Sequence, residues 1–525
     1  MTASASYSPI VLEGWHPDWI FNGLQLRQSY NGHHVFDISV LIPHSGARKG
    51  GKNAQQALSQ EALTGILGRK IVLHLRNPGK SDPACRFEGF VDQAEPAWTS
   101  RACALRITGY SPTVLMDCMP SFRTFYKKPL SGIARQITEK YGRSIPALSL
   151  TGADGDADFS VQYQETDYSY LCRLADEHGK VFFYDGERLQ FGSLGQEGQP
   201  TKSIRFGKDL KQAGISLNTE PLRFQLGAFD PEKNELLQVS APACYSVNPL
   251  VRETASRSGV YPSSDIHLFT ATSGEKDLSG RTSRMQSRQA HNLVRFQGTS
   301  DLPGLLIGSR IQIKGAPEIL GQGDYTILEI SHQINGDLSY SNTFFAVPTG
   351  FPFAPRMLSG RAPLCGPLPA TVKDHDDPEK LGRVRVEFIG DQEKTRSPWL
   401  RVLTPFTGFG GMGFRPEAGD IVLVQSEDFN IEKSAFVSGA FFHGKARADQ
   451  WHDAENKKKG FATEKISFHI DDRTGKLTIE ADEIEIKARK KLKTRGQTAE
   501  HSSETNMKID GGNQLSAQAG RIDLN

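Results

Sequence analysis

Residues 381–443 decide the fold class of this chain: LGRVRVEFIGDQEKTRSPWLRVLTPFTGFGGMGFRPEAGDIVLVQSEDFNIEKSAFVSGAFFH. Apolar residues alternate there in short runs, and turns rich in glycine, proline and charge separate the runs. The runs are Val384/Val386/Phe388, Trp399/Leu400/Val402, Ile421/Val422/Val424, Phe436/Val437 and Phe441/Phe442. About five short strands in this space predict a small closed Greek-key barrel of the OB type.

The amino-acid sequence of this stretch resembles that of a known domain. LGRVRVEF at 381–388, the Trp-Leu-Arg-Val strand at 399–402, FRPEAGDIVLVQ at 414–425 and VSGAFF at 437–442 carry the resemblance. They are similar to the OB domain of VgrG proteins, the spikes of type VI secretion systems, and to the matching domain of contractile-tail phage spikes and extracellular contractile injection particles. The resemblance implies a hub before this domain and a needle after it.

Composition limits the possible partners and compartments. The chain has 525 residues, which suggests about three domains, and its 62 Lys plus Arg nearly balance 60 Asp plus Glu. This balance gives no reason to expect nucleic acid or an anionic membrane as a partner. The six cysteines are scattered without CxxC pairs, which indicates inert thiols in a reducing compartment. They are Cys85, Cys103, Cys118, Cys172, Cys244 and Cys365.

Targeting signals are not evident. The first residues lack a basic segment followed by an apolar one, and no run of about 18 apolar residues occurs. We therefore expect synthesis and assembly in the cytoplasm without a signal peptide. The resemblance implies later delivery outside the cell as part of an injection apparatus or particle.

A hub is predicted at 1–355, as two similar β-barrels with a helical insertion at about 129–180. LGRKIVLHLR (67–76) with FEGFVDQ (87–93) has the same pattern as IGSRIQIKG (307–315) with YTILEISHQ (325–333). In the resembling family, two barrels per chain let a trimer present a roughly six-fold face to a hexameric tube of the Hcp type. The alternative is that any two glycine-bounded hairpins look alike.

The insertion has a helical and a hairpin signal. In 129–142, Leu130, Ile133, Ile137 and Tyr141 fall on one helical face. In 165–192, an N-cap is predicted at Asp167, an apolar stripe at Tyr170/Leu171/Leu174, a stop at Gly179 and a hairpin turn at Asp185-Gly186. This second segment is also similar to one in VgrG hubs.

Three further regions complete the predicted domain organisation. A proline-rich connector at 356–369 precedes the OB barrel at 370–445, and a polar neck at 446–464 precedes a needle at 465–525. The needle strands carry too little apolar surface for a core of their own, so they predict a homotrimeric β-prism or β-helix. We expect its interior to contain Leu477, Ile479, Ile484 and Ile486. Disorder is the alternative for 487–515.

The chain's last residues, GRIDLN, indicate a strand at a blunt tip. The resemblance implies that such a tip binds a conical PAAR-repeat cap protein, and we assign this role to Ile522, Asp523, Leu524 and Asn525. The alternative is an ordinary last strand with a frayed end. We also expect neither a toxic domain after the needle nor a lysozyme between barrel and needle.

No catalytic, cofactor or metal site is predicted. Gly408, Gly410 and Gly413 form a GxGxxG pattern, but a strand follows where a dinucleotide site requires a helix. The GxSxG motif and paired Cys/His spacings are absent. His469 with Asp471 and Asp472 leaves two alternatives, an axial ion in the trimer or ordinary turn carboxylates.

The sequence therefore predicts a mainly β, homotrimeric, non-enzymatic central spike of a contractile injection machine. The resemblance implies that it joins the hexameric tail tube and baseplate proteins to a needle that punctures the target envelope and carries a PAAR-type cap or an effector. The alternatives are a spike-borne cell-wall hydrolase and a trimeric adhesin or receptor-binding fibre. The type of machine stays open between a type VI apparatus, an extracellular phage tail-like particle and a phage.

Overall fold

The computed structural model describes residues 10–12, 19–43, 60–76, 83–99, 102–194, 201–268, 272, 274–356, 365–427 and 429–522. Its internal contacts divide the chain into a first unit, Met1–Phe441, and a second unit, Phe442–Asn525. Strands outnumber helices in both units, so the predicted mainly β fold class is confirmed. None of the described helices is both long and apolar enough to cross a membrane.

The first unit begins with a repeat of six strands and one short helix. Its elements are β1 Ile10–Leu12, β2 Ile20–Ser29, β3 Val35–Pro43, α1 Gln60–Thr64, β4 Lys70–Arg76, β5 Pro83–Trp98 and β6 Ala102–Tyr110. Buried and less buried residues alternate along β4 and β6, because successive side chains of a strand point to opposite faces of the sheet.

The helical insertion follows the first repeat. Its elements are β7 Ser121–Pro129, α2 Leu130–Glu139, β8 Leu148–Thr151, β9 Asp156–Glu165, α3 Asp167–Glu177, β10 Val181–Tyr184 and β11 Leu189–Gly192. The predicted hairpin is confirmed by the antiparallel pairing of β10 with β11. The predicted N-cap at Asp167 is wrong by one residue, because the Thr166 hydroxyl accepts the Ser169 N–H (3.2 Å) and Asp167 is already helical.

The second repeat has a further insertion of its own. The elements in chain order are β12 Lys202–Arg205, β13 Leu210–Leu217, β14 Phe224–Asp230, β15 Glu235–Ser240, α4 Pro249–Arg257, β16 Ser264–Leu268, α5 Glu275–Ala290, β17 Val294–Ser300, β18 Arg310–Lys314, β19 Asp324–Asn335 and β20 Tyr340–Pro348. Strands β14, β15 and β16 form a separate sheet, and α5 packs on it through Leu278 and Met285.

The two hub repeats share one strand order. The first is β1-β4-β5-β6-β3-β2 and the second is β12-β18-β19-β20-β17-β13, so each strand has a counterpart at the same position. One pairing differs, because β1 is antiparallel to β4 whereas β12 is parallel to β18. Pairing of β2 with β19 joins both repeats into one 12-stranded sheet. The predicted pair of similar barrels is thus confirmed, as halves of one sheet.

The correspondence extends to single residues. Gly68 and Gly308, which precede β4 and β18, both have positive φ, at 72° and 77°. The Gly68 N–H donates to the Val91 carbonyl (2.8 Å), and the Gly308 N–H donates to the Ile327 carbonyl (2.9 Å). Immediately after these carbonyl residues, both the β5–β6 and the β19–β20 ladders shift register. Chance similarity of two hairpins does not account for the same glycine, hydrogen bond and register shift in both repeats.

The OB barrel closes the first unit. Its elements are β21 Leu368–Asp374, β22 Arg385–Phe388, β23 Arg401–Val402, β24 Ile421–Ser426, α6 Ile431–Ser434 and β25 Ala435–Phe441. The sheet order is β22-β21-β24-β25-β23. Reciprocal backbone hydrogen bonds between Val384 and Leu400 (2.9 and 2.8 Å) join the two ends of this sheet. The predicted five-stranded closed barrel is therefore confirmed.

The second unit contains one small sheet. Antiparallel strands β26 Lys458–Ala462, β27 Ser467–Asp471 and β28 Lys476–Glu480 form it. Residues 481–522 form no strand, so the needle strand predicted around Ile484 and Ile486 is not formed within one chain. The small sheet keeps its outer edges free among the described residues, and so small a sheet is marginally stable in water. No described residue of this unit is buried.

A buried polar chain crosses the β2–β19 seam of the hub. The Tyr340 hydroxyl donates to His332 Nδ1 (2.7 Å), and His332 Nε2 donates to Gln28 Oε1 (3.1 Å). Gln28 Nε2 then donates to His34 Nδ1 (3.1 Å). These directions require both imidazoles to be neutral. Burial lowers the pKa of His34 to about 3 and that of His332 to about 3.

We predict that acid weakens the hub through these two histidines. Unfolded histidine titrates near pH 6.5, so the unfolded chain binds more protons below that pH, and stability falls as pH drops toward 3. At pH 5 each histidine should have cost about 2 kcal/mol relative to pH 7.5. Urea unfolding at both pH values measures this loss. His332→Gln should show a smaller pH dependence, and an unchanged dependence in that variant would contradict the assignment.

Candidate functional site

The core of the OB barrel is completed by hub residues. The antiparallel ribbon β7–β9 packs against the barrel, and Phe159 and Val161 of β9 are buried in one cluster with Val386, Val422 and other barrel residues. The Phe122 ring of β7 meets the Phe388 ring of the barrel at 6.1 Å between centroids, edge to face. The barrel therefore gains part of its hydrophobic stabilisation from the hub insertion.

One buried arginine bonds to both sides of the contact between the hub insertion and the OB barrel, which we call the joint. Arg173 of α3 donates to both carboxylate oxygens of Glu165 (2.8 Å each) and to Glu177 (2.9 Å). It also contacts Glu432 of α6 in the OB barrel at 3.2 Å. Glu432 in turn accepts the Val161 N–H at 2.6 Å. The guanidinium thus links the helix and ribbon of the hub insertion with the barrel.

The charges in this joint are desolvated. Burial raises the pKa of Glu165 and of Glu432 above the ordinary value, although Arg173 opposes the rise in both. The pKa of Arg173 is raised by the surrounding carboxylates against the effect of its own burial. Removing one partner would leave buried groups without hydrogen bonds, which is the costly way to break a buried ion pair.

Two further carboxylates hold the same ribbon. Asp391 of the barrel accepts the Thr124 N–H (2.9 Å) and the Thr124 hydroxyl (2.6 Å) of β7. Asp167 accepts from Arg123 (2.6 Å) and from Tyr141 (2.8 Å). Burial would raise the pKa of Asp167, but its hydrogen bonds hold it below the ordinary value. Asp167 and Glu432 are thus each engaged by donors on more than one element.

We predict that Glu432→Ala destabilises the first unit by about 3 kcal/mol, because Val161 N–H, Ser160 and Arg173 lose an acceptor in a buried place. Glu432→Gln keeps an acceptor oxygen and should cost less than about 1.5 kcal/mol. Urea unfolding measures both, and limited proteolysis should release the OB barrel earlier from the alanine variant. Equal losses in the two variants would show that the carboxamide oxygen does not replace these contacts.

The residues assigned to the needle interior lie on the surface of the single chain. The exposed fractions are 56% for Leu477, 50% for Ile479, 54% for Ile484 and 69% for Ile486. Leu477 and Ile479 are on β28, opposite Ile470 and Phe468 of β27. The structure thus places two of the four on one sheet face and two in the segment after it.

Phe461 and Phe468 belong to the same apolar face, and our sequence analysis gave Phe461 no role. Their rings stack at 5.4 Å between centroids, and Phe461 is opposite Phe468 in the ladder. The strand period could have identified Phe461, because it precedes β27 at the spacing of a hairpin. Of the tip residues, Ile522 is half exposed, and Asp523, Leu524 and Asn525 lie outside the described residues.

The remaining sequence motifs occupy ordinary structural positions. The Gly408–Gly410 turn leads into β24 without a helix, in a loop that exposes Phe406 and Phe409. His469 stacks on Trp451, Asp471 accepts the Arg473 N–H (2.9 Å), and Asp472 pairs with Lys459 (2.6 Å). Within the described ranges, no three His, Cys, Asp or Glu side chains are grouped as metal ligands.

A triad-like arrangement in the hub went unnoticed in the sequence. His33 Nδ1 lies 2.8 Å from the Thr113 hydroxyl, and its Nε2 lies 3.1 Å from Asp117. A nucleophile must be reachable by its substrate, but Thr113 is buried and also bonds Ser111 (2.7 Å). The geometry fits a structural network at the start of β3. Because 80 residues separate His33 from Thr113, spacing could not reveal it.

A doubled hub sheet followed by a closed OB barrel defines a hub-and-spike protein of contractile injection machines. The chain belongs to the phage tail baseplate hub (GPD) family, whose model matches residues 53–338. A second model, the type VI secretion system/phage-baseplate injector OB domain, matches residues 368–442. The resemblance to VgrG spikes is therefore confirmed.

Known relatives agree with this assignment. The type VI secretion system spike protein VgrG5 of Pseudomonas aeruginosa is 24% identical over 437 residues, which cover 71% of this chain and 53% of that protein. The chain thus spans about half the length of this relative.

Solved structures share the fold. The E. coli c3393 protein, a type VI component described as similar to the T4 tail proteins gp27 and gp5, has a TM-score of 0.55 at 15% identity, covering 82% of this chain and 99% of that one. A chain of the Francisella PdpA–VgrG complex has a TM-score of 0.51 at 10% identity, covering 90% and 84%. At such identities these two structures show the fold alone.

Proposed function

We propose that three copies of this chain form the central spike of a contractile injection machine. The hub at 1–355 joins a hexameric Hcp-like tube and the baseplate, a connector at 356–369 leads to the OB barrel at 370–445, and a neck at 446–464 leads to a puncturing needle at 465–525. The protein transmits the force of contraction and catalyses no reaction. One observation supports the trimer. Part of one edge of strand β5 in the first hub repeat, which we call the half-edge, has no partner strand among the described residues.

This half-edge appears when equivalent strands are compared. β19 has two partners along one edge, β18 at 324–326 and β2 at 329–335. Its counterpart β5 pairs with β4 as far as Phe90, and residues 92–98 have no strand on that side among the described residues. β13, the counterpart of β2, ends the described sheet with a free edge. The β13 edge of one chain therefore fits the β5 half-edge of the next.

The equivalence also defines the register of this proposed junction. The β2–β3 ladder shifts its register after Phe21, and the β13–β17 ladder shifts its register after Leu210. We therefore align β2 with β13 so that Phe21 corresponds to Leu210. The Ser331–Arg27 pair of the internal junction then corresponds to Glu95 facing Ser216 of the next chain. Three internal and three interchain junctions would form a ring with quasi-six-fold symmetry, which suits a hexameric tube.

Pro96 stands where β19 has His332, so the interchain ladder has one N–H donor fewer than the internal ladder. The Thr99 N–H donates to the Ala102 carbonyl of β6, so the backbone of Pro96, three residues earlier, faces the free side. Proline at such a position also limits unwanted edge pairing before assembly. The backbone groups of Ala94 and Trp98, two residues to either side of Pro96, face the same free side and stay available among the described residues.

We predict that Glu95→Cys with Ser216→Cys yields disulfide-linked chains under oxidising conditions, because directly paired strand residues have Cα atoms about 4.5–5.5 Å apart. Both positions are exposed in the single chain. Non-reducing electrophoresis should show covalent dimers and trimers. Glu95→Cys with Gln212→Cys is the matched control, since position 212 lies four residues along the strand. Linking at an equal rate in both pairs, or only monomers, would reject the register.

The needle proposal rests on the uncovered apolar face in the second unit. Phe461, Leu477 and Ile479 share that face and are 42%, 56% and 50% exposed. Three chains arranged around an axis would turn these faces inward and give the strand edges partners. Residues Ile484 and Ile486 continue the alternation of apolar residues beyond β28. Burial of such side chains at about 25 cal/mol per Å² would supply the stability that one chain lacks.

We predict that Ile484→Asp prevents needle assembly, because three carboxylates would be buried near one axis. Sedimentation velocity and protease digestion of 465–525 measure the effect. Glu485→Asp is the matched control, because the neighbouring residue faces the opposite side of a strand and keeps its charge. A protease-resistant needle in the Ile484→Asp variant would show that this residue does not face the interior.

The tip and its partners complete the proposal. Residues 522–525 would bind a PAAR-type cap, and exposed Ile522 supports an apolar docking surface there. The Francisella relative is recorded in a complex with PdpA, which supports an additional protein partner or effector for this chain. Assembly in the cytoplasm and delivery outside the cell within the apparatus follow from this role.

A further inference from the structure

Helix α5 carries a stripe of arginines between two clefts. Arg281, Arg284 and Arg288 are three and four residues apart, so they share one face of the helix. A first cleft of about 790 Å³ and a second of about 650 Å³ both have Arg281 and Arg288 in their walls. We name these two clefts and the helix face between them the α5 groove.

The first cleft has more positive than negative groups in its walls, although Arg281 is paired with Asp277 (2.7 Å) and Arg288 with Asp176 (3.1 Å). Its walls contain four arginines and a single carboxylate, Glu329. The arginines are Arg281, Arg288, Arg295 and Arg356. Apolar residues, among them Leu226, Met285 and Phe345, line the rest of it. This combination differs from the balanced charge of the chain as a whole.

Arg284 in the second cleft has no counterion contact. Its guanidinium is half-buried and makes no hydrogen bond or ion pair with any residue in the described part of the chain. Burial lowers the pKa of Arg284, and the neighbouring Arg288 and Arg281 lower it further, against Asp277. A partly desolvated cation without a partner costs free energy, which a bound carboxylate would recover.

We propose that the α5 groove binds an extended acidic segment of another protein, with a carboxylate on Arg284. Arg284 and Arg288 are about 6 Å apart along the helix axis, close to the roughly 6.7 Å between alternate residues of an extended chain. A peptide with acidic residues at alternate positions therefore matches the arginine spacing. Its intervening side chains would contact the apolar wall.

Two observations favour a peptide over a polyphosphate or nucleic acid. The walls of the second cleft also contain five carboxylates, which would repel the dense charge of phosphates more strongly than a single peptide carboxylate: Asp156, Asp158, Glu177, Asp277 and Glu432. The first cleft includes Gln289 and His291, whose Oε1 and Nδ1 are buried without a partner in the described residues. His291 donates through Nε2 to the Phe353 carbonyl (2.8 Å), so its Nδ1 is an unpaired acceptor, which a peptide N–H would reach once the cleft wall shifts to expose it.

The test measures binding of a fluorescein-labelled peptide in which Glu alternates with Ser to the full-length chain, by fluorescence anisotropy at low and physiological salt. The same peptide with Gln for Glu is the ligand control. We expect Arg284→Ala to weaken binding about tenfold, as for loss of one charged hydrogen-bond partner. Arg257→Ala, on exposed α4 outside the groove, should bind as the unchanged chain does.

Stability separates a ligand role from a structural one. Because Arg284 has no partner to lose, Arg284→Ala should have an unchanged or higher Tm, whereas a structural arginine would lower it. Equal binding of the Glu and Gln peptides, or Arg284→Ala that binds like the unchanged chain, would overturn the proposal. Tighter, Arg284-dependent binding of a single-stranded oligonucleotide would overturn the choice of a peptide. The groove lies within one chain, so the result does not depend on the trimer.

Discussion

The backbone ladder between β2 and β19 holds the two hub repeats in one continuous sheet. It joins residues 23–29 with 329–335, more than 300 positions apart, so it forms only when both repeats have folded. Gln28 and His332 connect across the same seam inside the core, and their hydrogen bonds require neutral histidines. The strength of the seam therefore depends on pH, although its backbone part does not.

A second consequence of that ladder concerns symmetry. β2 occupies only the later half of the β19 edge, whereas the equivalent half of β5 has no partner strand among the described residues. An unpaired half-edge next to a paired one of the same design is unusual in a finished fold, since exposed edges promote unwanted association. Pro96 reduces that hazard without closing the edge to a partner. In the trimer that we propose, the β13 edge of the next chain would fill this half-edge.

The hub–OB joint holds the barrel and the hub insertion together by two kinds of contact. Hydrophobic contact alone resists separation but allows sliding, because it is not directional. Arg173 adds directional bonds to carboxylates on β9, α3 and α6, and Asp391 adds two bonds to Thr124. Such a joint is expensive to break by removing one member. Directional bonds of this kind suit the force-transmitting role that we propose.

Sequence patterns predicted the local elements better than the joints. The strand period, the glycines at 68 and 308 and the turn at 185–186 predicted barrels and hairpins that the structure contains. Thr166 and Asp167 are both residue types that cap helices well, and only the geometry identifies Thr166 as the cap of α3. The Arg173–Glu432 contact spans 259 positions, and no spacing rule reaches that far.

The second unit differs from the first in one respect that determines how it can be stable. Unit 1 contains several buried clusters, whereas unit 2 has no buried residue within the described part, so folding of a single tail recovers little hydrophobic free energy. In an assembly of several copies, its stability would depend on the concentration of the second units of the other chains. In the proposed trimer, the three joined hubs would hold the three second units close together, which raises the effective concentration of the second units to about the millimolar range. Association of the second units then becomes nearly intramolecular. Hub closure would therefore precede needle formation, and a free tail segment would not assemble at ordinary protein concentrations.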